Sequence, residues 1–199
     1  MNNTTWDLPL FDILNFDGGP LLDGVMSAIS GYVVWLPLYA LIIYMVCRRW
    51  SWRGLAIFLL SIGVAVGLAD IVAGIFKHTG LLGDLWPSFP VRQRPMFSEG
   101  LEGVHAPSLD HGEFGTVSAH AATIVSLTVV AIRAIGRRWF SVVVVLSAVL
   151  ICYSRIYLAC HFPQDILLGA ATGLLTGWAG ASLFGWWVAR RGCQKDSSR

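Results

Sequence analysis

The sequence predicts an all-α fold: a polytopic membrane helical bundle of about five transmembrane helices, preceded by an N-terminal interfacial helix. Three observations carry this expectation. Of 199 residues, 55% are hydrophobic and only 13% charged, about half the charged share of a soluble domain. The mean hydropathy is +0.64. Five apolar stretches, near 25–47, 54–76, 116–135, 139–158 and 166–189, each approach the ~20 residues that a bilayer core requires.

Each element follows from its local composition. Residues 6–24 mix Trp6, Leu10, Phe11, Ile13 and Phe16 with Asp7, Asp12, Asp17 and Asp23. That segment is too acidic to cross hydrocarbon and reads as an interfacial helix broken at Gly18-Gly19-Pro20. Met1 to Thr5 place no basic region before an apolar run, so no cleaved signal peptide is expected. Pro37 is expected to kink the first span. In the last span Gly169, Gly173 and Gly177 recur every four residues, continued by Ala181 and Gly185. Such a small-residue ridge lets a second helix approach closely. The whole chain, 1–199, reads as one integral-membrane domain. The four cysteines show no paired or metal-type spacing, so no disulfide is expected.

Charge sets the orientation. Of fourteen Lys and Arg, ten fall between spans one and two, between spans three and four, or after span five. By the positive-inside rule these mark the cytoplasmic side. The N-terminus is then outside and the C-terminus cytoplasmic. Four cations remain on the outer side: Lys77, Arg92, Arg94 and Arg155. They suggest an anionic ligand there. Balancing the acidic outer face is the competing explanation. A formal charge of +2 gives no reason to expect nucleic acid.

Three clusters carry candidate chemistry. Ser154-Arg155 through His161 to Asp165 places an arginine, an imidazole and a carboxylate between two apolar runs. Asp165, in the first turn of the last span, is four residues from His161, close enough to accept a hydrogen bond from one ring nitrogen. That would fix the tautomer and leave the other nitrogen nucleophilic. Arg155 can fork onto a tetrahedral oxyanion. In the second cluster, Thr116 to His120, a helix start offers amides to an anion and Ser118 adds a hydroxyl. His120 is placed to protonate a leaving oxygen. The third cluster, Arg92-Gln93-Arg94-Pro95, lies in the long outer loop 77–115 and offers two arginines to one phosphate.

Other residues read more plainly. Asp70, inside span two, is expected to pair with Lys77 or another site cation. His105, Asp110, His111 and Glu113 lack a metal-ligand spacing, and no metal is expected there.

Taken together these clusters resemble the type 2 phosphatidic acid phosphatase superfamily, which also includes the vanadium haloperoxidases. The third family motif, Ser-Arg, five residues, His, three residues, Asp, is present in full at Ser154, Arg155, His161 and Asp165. The second, Pro-Ser-Gly-His, is present at Ser118 and His120, with Val117 for the Pro and Ala119 for the Gly. The first, Lys, six residues, Arg-Pro, is present at Arg94-Pro95, but Pro87 stands where the Lys belongs. The nearest lysine is Lys77, which reads as displaced by an insertion of about ten residues, Gly80 to Pro90. The inserted Leu81, Leu82, Leu85, Trp86 and Phe89 look like a surface-seeking lid that contacts the substrate's tail or headgroup.

The resemblance implies a metal-free phosphatase with no cofactor. His161 would attack phosphorus and form a phosphohistidine, and Asp165 would orient it. His120 would protonate the departing oxygen and then activate water. Arg94, Arg155 and Ser118, with Lys77 and Arg92, would hold the phosphate oxygens. The expected substrate is a membrane lipid phosphate. Undecaprenyl diphosphate leads. Phosphatidic acid, phosphatidylglycerol phosphate and the 1-phosphate of lipid A are rivals. A non-catalytic protein that binds or moves anionic lipid is the reading from another class, and a haloperoxidase-like vanadate site is a weaker third. The sequence leaves the oligomeric state open.

Overall fold

The computed structural model describes residues 6–98, 101–107 and 112–191. Seven α-helices run in order: α1 Leu8–Leu14, α2 Gly19–Ser30, α3 Leu36–Arg49, α4 Trp52–Ile75, α5 Ala119–Ile135, α6 Arg138–Tyr157 and α7 Pro163–Arg191. Among the described residues no β-strand forms; a single antiparallel bridge joins Gln93 to Phe114. Three helices, α4, α6 and α7, are long and apolar enough to cross a membrane. The α2–α3 pair makes a fourth if counted as one bent span, and α5, at 17 residues, is apolar but shorter.

The first expected span is broken rather than kinked at Pro37. α2 begins at Gly19, inside the segment expected to be interfacial, and runs to Ser30. A 3-10 turn, Val33–Trp35, intervenes before α3, and the two limbs bend by 65°. Pro37 lies in the first turn of α3, where a missing N–H costs nothing. The break sits instead at Gly31, and the Trp35 indole N–H closes it by donating to the Ile29 carbonyl at 2.7 Å.

α5 lies against α4, α6 and α7. The glycine ridge explains how α7 gets so close. A β-carbon on Gly169 would stand 2.5 Å from the Ser118 carbonyl oxygen, and one on Gly173 would stand 2.4 Å from that of Ala122. Thr176 adds a hydroxyl contact to Ser126 at 3.2 Å. The ridge is shorter than its sequence pattern, because Gly185 has no such close neighbour. Gly180 faces α4 instead, through Ala65 and Ser61.

The two ends of the bundle differ in charge. At one end Arg49 donates to the Ile135 carbonyl and the Trp50 indole to that of Ala134. These occupy carbonyls that the last turn of α5 leaves unpaired. Gly136, left-handed at φ 62°, ends that helix. The opposite end holds the start of α5, the end of α6 and the start of α7. Three segments with chemistry-bearing side chains meet there. Gly173→Ala is expected to force α5 and α7 apart at a cost of about 1–3 kcal/mol, measured as a lower melting temperature in detergent.

Candidate active site

The end of α6 sets the first two groups. Ala159 takes a left-handed conformation at φ 53°. It turns the chain so that the amides of both Cys160 and His161 donate to the Arg155 carbonyl, at 3.0 and 3.2 Å. Arg155 and His161 are thereby locked to one another, and both are buried.

The long loop then arrives from two directions. Residues 92–94 pair with 113–116: Arg94 N–H donates to the Glu113 carbonyl and Gly115 N–H to that of Arg92, both at 2.9 Å. This ladder lays Gly115 against the histidine. His161 Nδ1 lies 2.9 Å from the Gly115 carbonyl oxygen. A carbonyl only accepts, so Nδ1 carries the proton and Nε2 the lone pair. A β-carbon on Gly115 would stand 2.8 Å from Arg94 Cγ and 3.1 Å from that same Nδ1, so only glycine fits the approach.

Asp165 plays a different part from the one its spacing suggested. Its Oδ2 is 3.5 Å from His161 Nδ1, beyond the Gly115 contact. The same oxygen accepts from the Phe162 N–H at 3.0 Å. That is the capping-box arrangement, an acid at the third helical position holding the amide ahead of the helix. Asp165 therefore secures the start of α7 and sets a carboxyl group beside the imidazole.

Arg92 departs from the expected phosphate clamp. Its two terminal nitrogens donate to the two oxygens of Asp7 at 3.1 and 3.0 Å. Its guanidinium lies 3.5 Å from the Phe162 ring centroid, and Nη1 is 3.7 Å from Asp165 Oδ1. Asp7, 0% exposed, also accepts from the Gln164 N–H at 3.0 Å. The residue that sequence reasoning missed is thus Asp7. A lone acid ahead of a short amphipathic helix gives no local sign that it will be buried 85 residues away in sequence, beside Arg92.

Lys77, Arg94 and Arg155 face the histidine. Arg94 Nε donates to the Phe114 carbonyl at 3.1 Å, and an Arg155 terminal nitrogen donates to the Ser30 hydroxyl. Among the described residues, Arg94 Nη1 and Arg155 Nε are buried with no hydrogen-bond partner. Unpaired buried donors are costly and suit an anion. Burial, with the three cations behind it, pushes the His161 imidazole well below its usual range, so the ring stays neutral. Burial and then Arg94 lower the Lys77 ammonium to about 8, against Asp70 and Asp165, which favour its charge. The expected Asp70–Lys77 partnership is therefore an electrostatic one.

Ser118 caps α5, its hydroxyl oxygen accepting from the Ala121 N–H at 3.3 Å, and its own hydroxyl proton is left to donate. Its N–H binds the Asp165 carbonyl at 3.0 Å. His120, exposed, lines a cavity of about 450 Å³ together with Arg155, Ser30 and Asp23. Ser154 donates to the Ile151 carbonyl at 2.7 Å and serves helix packing. His105 meets Asp17 and Asp23, with ligand-type atoms all within 4.8 Å, rather than Glu113. Asp110 and His111 lie outside the described residues. His105 Nε2 is 2.7 Å from Asp23 Oδ1, which also accepts from the Tyr157 hydroxyl. The inserted segment rests on the end of α4 through Phe76, Trp86 and Phe89, with Leu81 and Leu85 exposed.

The family profile described as PAP2 superfamily matches residues 55–189. The chain belongs to the PAP2 superfamily. At the level of class it is a membrane hydrolase of lipid phosphates. A lipid A 4'-phosphatase of Bacteroides thetaiotaomicron is 33% identical over 171 residues, 83% of this chain and 72% of the relative. An undecaprenyl-diphosphatase of Sulfolobus acidocaldarius is 24% identical over 86% of this chain and 75% of its own. The crystal structure of Aquifex aeolicus LpxE shares the fold, with a TM-score of 0.66, 22% identity, and coverage of 92% of this chain and 98% of that one.

Two outcomes follow from this geometry. Because Lys77 loses its charge as pH rises through about 8, kcat/KM, which reports the free enzyme, is expected to fall above that pH. Lys77→Arg is expected to move that alkaline limb upward in a pH–rate profile. Asp7→Ala removes the bidentate partner of the half-buried Arg92 guanidinium and is expected to cost about 1–3 kcal/mol. The Asp7→Ala, Arg92→Ala pair is expected to cost less than the sum of the single variants when all are measured by thermal unfolding.

Proposed function

We propose that this chain removes a terminal phosphate from a membrane lipid through a phosphohistidine on His161. The observation behind this reading is a neutral, backbone-fixed imidazole set among Lys77, Arg94 and Arg155. Nε2 attacks phosphorus while the P–O bond to the lipid breaks. His120 gives its proton to the departing oxygen. The positive charge that develops on His161 is offset by the Gly115 carbonyl at Nδ1–H and by the nearby Asp165. Water, deprotonated by His120, then cleaves the P–N bond and releases phosphate. The arginines, Lys77 and the start of α5 stabilise charge on the phosphoryl oxygens, so the reaction is read as independent of metal.

The α2–α3 pair, α4, α5, α6 and α7 are read as five spans. The arginine-rich end faces the cytoplasm and the site faces outward. Likeness to the Bacteroides relative makes a lipid A phosphomonoester the leading substrate, ahead of undecaprenyl diphosphate, which the archaeal relative favours. A protein that only bound or moved anionic lipid would have no use for a nucleophile held in one tautomer.

The test is phosphate release by purified protein in detergent from lipid A phosphomonoesters, undecaprenyl diphosphate, phosphatidic acid and phosphatidylglycerol phosphate. Turnover of the lipid A substrates is expected to persist with a chelator and to drop at least about 10³-fold in His161→Ala, with a smaller loss in His120→Ala. Turnover equal in the wild type and both variants would overturn the enzymatic reading.

A further inference from the structure

The end of the bundle away from His161 gathers charge of one sign. Ten of the fourteen cations lie in stretches 48–53, 133–138 and 190–199, with Asp196 the sole side-chain carboxylate among them. The positive-inside rule accounts for cations at that end. It does not account for three of them around one cavity. Arg48 and Arg49, in the last turn of α3, and Arg137, in the turn between α5 and α6, line a cavity of about 600 Å³. Tyr44, Met45 and Ile135 give its wall an apolar part. Among the described residues none of the three arginines forms an ion pair. Arg49 commits one N–H to the Ile135 carbonyl. This lays its guanidinium across the turn, where a β-carbon on Gly136 would stand 2.7 Å from the same nitrogen. α6 begins after Arg137 with no side-chain cap, so its first amides add to the positive field. Trp52 and Trp139 are exposed at the same end, and indoles favour the headgroup level of a bilayer.

We propose that this cavity is a binding site for the headgroup of an anionic phospholipid, in the leaflet opposite the hydrolytic site. Two complementary demands select this occupant. Three arginines without a carboxylate call for an anion, and a guanidinium forks well onto phosphate oxygens. The apolar part of the wall calls for hydrocarbon, since Tyr44 is exposed on α3, one limb of the bent apolar pair. A phospholipid meets both demands in one molecule. A free phosphate meets the first and leaves Tyr44 and Met45 uncovered. Basic pockets between membrane helices recognise such headgroups in general. A headgroup with two phosphates suits the layout best, one phosphate for Arg48 and Arg49 on α3 and one for Arg137 across the cavity. Once occupied, the site ties the end of α3 to the α5–α6 turn. The protein makes the same join through Arg49 and Trp50, on the carbonyls of Ile135 and Ala134.

The probe is cardiolipin, which carries two phosphates, titrated into purified protein in detergent. Its phosphates are diesters, so it lacks the terminal phosphate removed in the proposed reaction. Cardiolipin is expected to raise the melting temperature and phosphatidylcholine is not, and the shift is expected to shrink as salt rises. Arg48→Ala combined with Arg137→Ala is expected to weaken cardiolipin about thirtyfold, from about fivefold per arginine, read as the concentration that gives half the shift. Arg94→Ala, at the opposite end, is expected to leave that concentration within about twofold. An equal loss in Arg94→Ala, or no loss in the double variant, would overturn the proposal. Inorganic phosphate alone is expected to give no shift, and a shift equal to that of cardiolipin would overturn the lipid assignment. Should the double variant misfold, benzophenone photo-crosslinking in otherwise wild-type protein decides. A benzophenone side chain at Tyr44 is expected to capture cardiolipin in preference to phosphatidylcholine from an equal mixture, and one at Leu85 is expected to show no preference. Absence of a preference at Tyr44 would overturn the site. Hydrolysis enters none of these readouts, so failure of the phosphatase reading and failure of this site are separate results.

Discussion

One hydrogen bond governs this molecule: His161 Nδ1–H to the carbonyl of Gly115. An imidazole enclosed by three cations has every reason to remain neutral, but neutrality alone leaves two tautomers. The backbone acceptor selects one. Reaching it requires the loop ladder between 92–94 and 113–116, the absence of a β-carbon at Gly115, and the left-handed turn at Ala159. Three distant parts of the chain thus converge on one proton.

Around that centre the N-terminal segment packs as a wall of the site. Asp7 occupies the start of α7 and holds Arg92. Asn15 donates to the Tyr157 carbonyl at 2.7 Å and to that of His105 at 2.9 Å, securing the end of α6 and the loop beyond. Phe11 packs on Phe162, ring centroids 5.1 Å apart. A buried carboxylate at the start of α7 means that this helix terminus is already served. On the proposed function the anion is left to α5, whose start carries Ser118 and His120.

Some of this was legible in the sequence and some was not. The later helices were, because long apolar runs bounded by arginines admit few alternatives, and the Gly169–Gly173–Gly177 ridge announced the α5–α7 contact. The bend in the first span was hidden: Pro37 draws attention, yet a proline in a first turn does no damage, and Gly31 looks ordinary. Within the site, side-chain identities could be read from spacing, but backbone partners could not, since every residue has a carbonyl and only the fold selects that of Gly115. The same limit separated Arg92 from Arg94. Two arginines one residue apart look equivalent until a ladder sends one toward the histidine and the other toward Asp7. Lys77 was obscured by the insertion; the structure turns 80–90 aside onto Phe76 and leaves the lysine facing the cations.

The shortness of α5 has its own consequence. Seventeen residues make about 25 Å of helix, against ~30 Å of hydrocarbon and the 24 residues of α4. If its far end is anchored with its neighbours, the end bearing Ser118 and His120 stops short of the opposite boundary, in a dimple. Its neighbours α4, α6 and α7 wall that dimple. A headgroup would then descend into a recess of the protein instead of being lifted from the membrane.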